Sequence, residues 1–249
     1  MASRKLHLFI RRSHRYLGVV LGIQFLFWTI GGLYFSWTNI NEIHGDFQHK
    51  NPPQLTYEAN LKSPSDVFTN NAISADRIQS LQLLTILNKS YYAIRYYHNG
   101  KPADLVADAI TGFKRSALTK DEAIQVAAES YNGITKLSKV EYITSVSKHH
   151  EYREKPLPAW RITFQHPSDT HIYVSAIQGK VETFRNNKWR IFDFLWMLHT
   201  MDYESRDDIN NWFLRAFSMF GLITILTGFA LFFVSKKKTK KLFTDNSNR

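Results

Sequence analysis

The sequence predicts an α+β membrane protein, with two transmembrane helices enclosing an external domain made of helix plus antiparallel sheet in two repeated half-units. Three observations predict it. Two uncharged or nearly uncharged apolar runs lie near the ends of the chain, at 17–38 and 216–234. The full formal charge of +11 is carried beside those runs, by Arg4, Lys5, Arg11, Arg12 and Arg15 at one end and by Arg215, Lys236, Lys237, Lys238, Lys240, Lys241 and Arg249 against Asp245 at the other. Between them, 39–211 holds 20 basic and 20 acidic residues and is neutral.

The first run, LGVVLGIQFLFWTIGGLYFSWT, has Gln24 as its most polar member. Its 22 residues extend about 33 Å as a helix, enough for a hydrocarbon core of about 30 Å. Trp28 lies mid-span, and Tyr34 and Trp37 lie where amphipathic rings anchor at an interface. A cleaved signal peptide is disfavoured, because the run is long and Phe35-Ser36-Trp37 is a poor cleavage site. The second run, AFSMFGLITILTGFALFFV, is stopped by Lys236 to Lys238. Gly18 and Gly22 on the first helix, and Gly221, Thr224 and Gly228 on the second, are spaced for close helix packing. Positive residues beside membrane spans remain cytoplasmic, which places both termini inside and the neutral middle outside.

That placement sets the division into a cytoplasmic N-terminus (1–16), a first span (17–38), an external domain (39–187), an interfacial helix with acidic linker (188–211), a second span (212–235) and a basic tail (236–249). It also argues against nucleic acid as a partner, since the folded part carries no net charge. The basic tails read as topology signals that touch anionic headgroups of the lipid bilayer. The chain has no cysteine, which excludes disulfides and thiolate metal sites and leaves its ten histidines as the strong haem or soft-metal ligands.

Within the external domain, Pro52 and Pro53 mark a loop. A helix-then-three-strands pattern follows twice, at about 63–115 and 118–184. The second copy is clearer. Thr119 and Glu122 form a capping box before Ala123, Ile124, Ala127 and Ala128 at helical spacing. Strands are expected at 139–146, 159–165 and 171–176, where Trp160, Ile162 and Phe164 alternate with polar residues. The first copy gives strands at 78–86, 91–97 and 103–112 around an Asn99-Gly100 turn.

These residues resemble the PepSY domain. Thr119, Glu122 and Ala123 match its helix-opening motif, and Asp108, Ala109, Thr111 and Gly112 match its closing turn. In the second copy that turn reads Ser175-Ala176-Ile177-Gln178-Gly179, which keeps the shape and drops the Asp and Thr. Together with Arg12-Ser13-His14-Arg15-Tyr16-Leu17-Gly18 and Leu198-His199-Thr200, nearly the whole chain is similar to PepSY-associated transmembrane proteins, a family that includes iron-linked inner-membrane proteins and ferric-siderophore reductases. Many reductase members have four or more spans, and this chain has two.

The resemblance implies a bacterial inner-membrane protein and b-type haem held by paired histidines, with His14, His199 and His44 as cofactor-binding candidates, His199 and His14 as iron ligands, and Arg215 as a partner for a propionate. Geometry limits the pairing. His14 and His44 are 30 positions apart, about 45 Å along a helix, and cannot share one iron. Residues 188–201 read as an amphipathic interfacial helix in which Phe192, Leu195, Trp196 and His199 share a face, so His44 and His199 could meet outside. His14 has no cytoplasmic histidine partner other than His7 or His14 of a second chain, so a homodimer or a membrane redox partner is required. His149-His150 reads as a solvated loop. Asp202, Glu204, Asp207 and Asp208 around Arg206 read as helix-start acids rather than a cation site.

No phosphate loop, dinucleotide fingerprint or nucleophile motif is present, so any electrons must come from a quinol or another protein. Two readings stay open: a haem-dependent electron-transfer component linked to ferric iron or siderophore reduction, and a non-enzymatic tethered PepSY module that binds or regulates a periplasmic peptide or protein.

Overall fold

The computed structural model describes residues 4–51, 54–55 and 60–246. Pro52, Pro53 and Arg249, and the side chains of Arg4, Lys5, His7, Lys236 to Lys241 and Asp245, lie outside the described residues. The chain divides into two compact units, one running through Thr38 and resuming at Phe192, the other Asn39–Ile191.

The helical unit is built on α1 (Arg4–Trp37) and α6 (Trp212–Asn246). Both contain stretches long and apolar enough to cross a membrane, Leu8–Trp37 and Trp212–Phe233. Each helix outruns its apolar stretch. Charge limits what can enter lipid, whereas only a breaker limits the helix, and arginine and lysine are good helix formers. α1 stops before Asn39, whose extended backbone and side-chain cap start the short α2 (Ile40–His44). α6 starts under an Asn211 cap, its Oδ1 accepting the Leu214 N–H at 2.9 Å. The last residues of α5 (Asn187–Thr200) belong to this unit.

The second unit is the α+β domain. Its first half has α3 (Pro64–Asn70), capped by the Ser63 hydroxyl with Pro64 at the first helical position, then β1 (Ile78–Ile86), β2 (Lys89–His98) and β3 (Lys101–Asp108) in an antiparallel meander. Two-residue turns at Leu87-Asn88 and Asn99-Gly100 adopt positive φ at both positions, which matches the right-handed twist of a hairpin. The second half has α4 (Lys120–Ser130), opened by the expected Thr119/Glu122 capping box, and β4 (Leu137–Ile143), β5 (Ala159–Phe164), β6 (His171–Ser175) and β7 (Val181–Arg185) in sequential antiparallel order. β7 is a strand that the sequence pattern does not announce. Phe184 is its sole buried residue, so its hydrophobic alternation is weak.

One core joins the halves. Ile162, Ile172, Val174 and Phe184 from the second sheet, Ala123 and Ala127 from α4 and Tyr131 at its C-terminal cap pack with Ile86, Tyr91 and Val106 from the first sheet. Tyr92, Ile94, Leu105 and Ala107 point to the other face and pack with Val67 of α3. The first sheet is therefore covered on both faces, as the period of two along a strand requires.

The two closing turns share one backbone pattern. Asp108 Oδ1 accepts the N–H groups of Ile110 (2.9 Å) and Thr111 (2.8 Å), and the Gly112 N–H returns to the Asp108 carbonyl at 2.8 Å. In the other half the Ser175 hydroxyl accepts the Gln178 N–H at 3.1 Å, and the Gly179 N–H returns to the Ser175 carbonyl at 2.9 Å. Both glycines have left-handed φ, +78° and +66°. Asp108 therefore holds a turn, and serine performs the same task in the second copy.

A Cβ at Gly179 would lie 2.5 Å from Ile86 Cδ1, in a backbone conformation unfavourable to other residues. Gly179→Val should therefore destabilise the α+β unit by about 3 kcal/mol, combining strain and overpacking, whereas Gly100→Val, with a left-handed φ but open space, should cost clearly less. Thermal unfolding of the two full-length variants in detergent measures the difference.

Candidate functional site

His14 and His199 sit in separate seats within the helical unit. His14 on α1 faces α6. Its Nδ1 lies 3.1 Å from the Thr224 carbonyl and 3.1 Å from the Thr227 hydroxyl oxygen. The Thr227 hydroxyl already donates its proton to the same Thr224 carbonyl at 2.9 Å. A carbonyl can only accept, so His14 Nδ1 carries the hydrogen and shares it between two acceptors. The Nε2 lone pair is then left available. The close approach depends on Gly228, where a Cβ would lie 3.1 Å from His14 Cε1.

His199, near the end of α5, sits among aromatic rings. It stacks on Trp28 of α1 (centroids 5.0 Å, 27°) and on Trp196 (5.9 Å, 12°), and meets the edge of Phe35 at 6.0 Å. Its Nδ1 is enclosed and has no hydrogen-bond partner among the described residues. Nearby, the Gln24 side-chain N–H donates to the Leu198 carbonyl at 2.6 Å, so the one strongly polar residue of the first run holds α5 against α1. Trp28 is 14 residues beyond His14, about 21 Å along the helix, so the two imidazoles lie at different depths and cannot meet at one iron.

Haem ligation asks for an imidazole whose second nitrogen donates to an acceptor, which fixes the tautomer and aims the ligating nitrogen. His14 supplies that second-nitrogen contact, its Nδ1 facing the Thr224 carbonyl and the Thr227 hydroxyl while its ring edge packs on Gly228. His199 fits less completely, since its orphaned Nδ1 lacks that acceptor. No group of three or more His, Asp or Glu side chains suited to a metal ion occurs among the described residues.

The other sequence candidates lie elsewhere. His44 is exposed at the end of α2 in the α+β unit. Arg215 forms no ion pair with Asp208 among the described residues, and its backbone N–H bonds the Asn211 carbonyl. The acid cluster is a folded loop. Asp202 accepts the N–H groups of Glu204, Ser205 and Asp208 and the Ser205 hydroxyl, which outweigh its desolvation and hold its carboxyl far below the usual range. Arg206 pairs with Asp193 of α5. Gly18, Gly22 and Gly221 depart from the close packing that their spacing suggests. A Cβ at each would meet nothing within 4 Å, and the glycines instead border an open trough between α1 and α6. Thr227 is the member of the His14 seat without a signal in the sequence, because one threonine in an apolar run is ordinary.

In the α+β unit the densest titratable cluster surrounds Glu151. Its carboxylate accepts from His171 Nδ1, from the Tyr173 hydroxyl at 2.7 Å and from Arg190 Nε at 2.7 Å. Tyr152, next in sequence, is fully buried and stacks on Tyr173. Of the loop read as solvated, His149 is exposed, and the His150 ring nitrogen accepts the Tyr152 N–H at 3.0 Å. Burial pushes the Glu151 carboxyl up, but the hydrogen bonds from His171, Arg190 and Tyr173 prevail and hold it down to about 2. A depressed carboxylate contributes stability that is complete above its unfolded value, near 4.5, and that is lost as pH falls toward 2. Glu151→Gln should lower stability at pH 7 by on the order of 3 kcal/mol and flatten the pH dependence between 4.5 and 2, read by unfolding midpoints across that range.

Among known proteins, the family model described as the PepSY-associated TM region matches residues 2–236. No curated protein and no solved structure matches the chain.

Proposed function

The chain belongs to the PepSY-associated TM region family, and on that premise we propose that it is a two-helix subunit of a bacterial inner-membrane electron-transfer assembly that reduces ferric iron or a ferric siderophore. The observation that carries this reading is the His14 seat, an imidazole inside a membrane span with one nitrogen fixed by α6 and the other left as a ligand.

In this reading His14 and His199 would each hold a b-type haem together with a histidine of a second copy or of a membrane redox partner. Bound haem supplies one-electron Fe³⁺/Fe²⁺ chemistry, which no side chain of this cysteine-free protein can supply. Thr224 and Thr227 orient His14, and Gly228 admits its ring. Trp28 and Trp196 hold His199 and exclude water from it. Arg215 would meet a propionate. Both termini are cytoplasmic, by the charge bias at the ends of the spans, so the α+β unit faces the periplasm and the acceptor.

A second reading is a membrane-tethered module that binds an extended peptide or protein segment. The edge strand β4 favours it, since β5 is its sole strand partner among the described residues, and Leu137 and Tyr142 on it are exposed. An unpaired strand edge is a template for strand addition.

Visible spectra decide between them. Protein from haem-replete cells, purified in mild detergent, should show haem bands that shift on dithionite reduction. His14→Ala should remove the inner share of that haem, and Gly228→Leu should do the same without touching any ligand. His199→Ala should remove the outer share. A colourless preparation overturns the electron-transfer reading and leaves the tethered module.

A further inference from the structure

The sheet β4-β5-β6-β7 ends at β4, and among the described residues no backbone hydrogen bond from outside the sheet reaches Leu137–Ile143. Val140 turns to the core, so Lys139 and Glu141, one residue to either side, share the opposite face. Lys139 Nζ lies 3.1 Å from Glu141 Oε1, and Arg161, across the ladder on β5, donates to Glu141 through Nε at 2.9 Å. The Arg161 hydrogen bond, with Lys139, holds the Glu141 carboxyl below the usual carboxylate range and keeps it charged at neutral pH. A lysine commonly guards an open edge against stray pairing. Here an acid two residues further on is available to answer it.

A strand that pairs antiparallel with its own copy does so about a two-fold axis. One residue then faces itself, and residues equally far on either side face one another. An axis at Lys139 or at Glu141 sets like charges opposite, and an axis at Tyr142 leaves Lys139 and Glu141 without a charge to face. An axis at Val140 sets Lys139 opposite Glu141 of the second copy and Glu141 opposite its Lys139. Directly opposite residues have Cβ atoms about 5 Å apart, nearer than the roughly 7 Å between alternate residues of one strand. Each Glu141 would stand between Arg161 of its own chain and Lys139 of the other.

We propose that β4 pairs antiparallel with β4 of a second copy about Val140, joining two four-stranded sheets into one. The step in register between Leu137 and Lys139 shortens the regular ladder, so the contact is a weak one that confinement of both copies to one membrane strengthens. The pairing supplies the second copy that the electron-transfer reading calls for and rests on that reading for its purpose. It also occupies the edge that the tethered-module reading gives to a peptide.

Because the chain has no native cysteine, oxidative cross-linking of the full-length protein in isolated membranes tests the register. Val140→Cys should give a disulfide-linked dimer. Lys139→Cys and Glu141→Cys should each give little alone and should cross-link when the two variants are expressed together, since only opposite Cβ atoms come within disulfide reach. In detergent, Lys139→Glu should weaken self-association at least about tenfold, because both charged rows then repel. Mixing it with Glu141→Lys should restore association as a heterodimer. Circular dichroism checks that each variant is folded, and the cysteine series serves where a charge variant is not. Absence of the Val140→Cys dimer, or cross-linking indifferent to register, overturns the proposal, as does self-association unchanged by Lys139→Glu. A Val140→Cys protein that cross-links to another polypeptide and not to itself overturns it in favour of the peptide. A red protein without the dimer refutes this pairing alone, whereas a colourless dimer refutes the electron-transfer reading and leaves the edge assigned.

Discussion

Hydrocarbon offers no hydrogen bonds, and the helical unit is organised by that constraint. A polar side chain within a span must find its partner on a neighbouring helix or remain unsatisfied at a cost of several kcal/mol. His14 finds two acceptors on α6, and Gln24 finds the Leu198 carbonyl on α5. These contacts are directional, whereas apolar faces in lipid have little preference for one another. They therefore fix which faces of α1, α5 and α6 meet, and the glycines that would otherwise draw the helices together are left bordering an open trough. The same constraint marks the groups left over. Among the described residues, His199 Nδ1, Trp28 Nε1 and Thr224 Oγ1 are enclosed without hydrogen-bond partners.

The α+β unit solves a different problem by repetition. Each half makes a capped helix, an antiparallel meander and a glycine-closed turn, and neither half buries its sheet alone. Ile86, Tyr91 and Val106 of the first half complete the core beneath α4 of the second. The junction tolerates no side chain at Gly179, so the closing turn of one half is also the packing surface of the other. Asp108 belongs to this logic. Its carboxylate is occupied by two backbone N–H groups, and the serine at the matching position does the same work without a charge.

Much of this was legible in the sequence, for identifiable reasons. Long uncharged runs and their flanking charges depend on composition alone, which is why the two spans could be read directly. The Thr119/Glu122 box and the Asn99-Gly100 turn are local chemistry, settled within a few residues. What was hidden depends on contacts distant in sequence. β7 is carried by one buried phenylalanine, Phe184, whose partners come from other strands and from α4. The Arg206–Asp193 pair joins a loop to a helix, while Asp202 accepts three N–H groups of its own loop. Gly18 and Gly22 show the limit of spacing rules. A small-residue stripe says that a close approach is sterically allowed, and the hydrogen bonds of His14 and Gln24 decide where it happens.

The two histidines illustrate how a structure sharpens a candidate that residue type only nominates. By sequence they differ only in place, His14 at the inner end of the first span and His199 on the interfacial helix. By structure they differ in the group that faces their second nitrogen. A hydrogen on His14 Nδ1 is required by the carbonyl that it faces, so its tautomer, ring orientation and free nitrogen follow from one contact to α6. For His199 the aromatic rings fix the plane but not the tautomer, because Nδ1 faces no acceptor. A proton can therefore move between its ring nitrogens without breaking a bond to the protein, whereas the same change at His14 would break two. An imidazole with a fixed tautomer suits permanent ligation. An imidazole whose plane alone is fixed can take its final form from whatever binds it, so of the two seats the one beneath Trp28 is the more dependent on a partner.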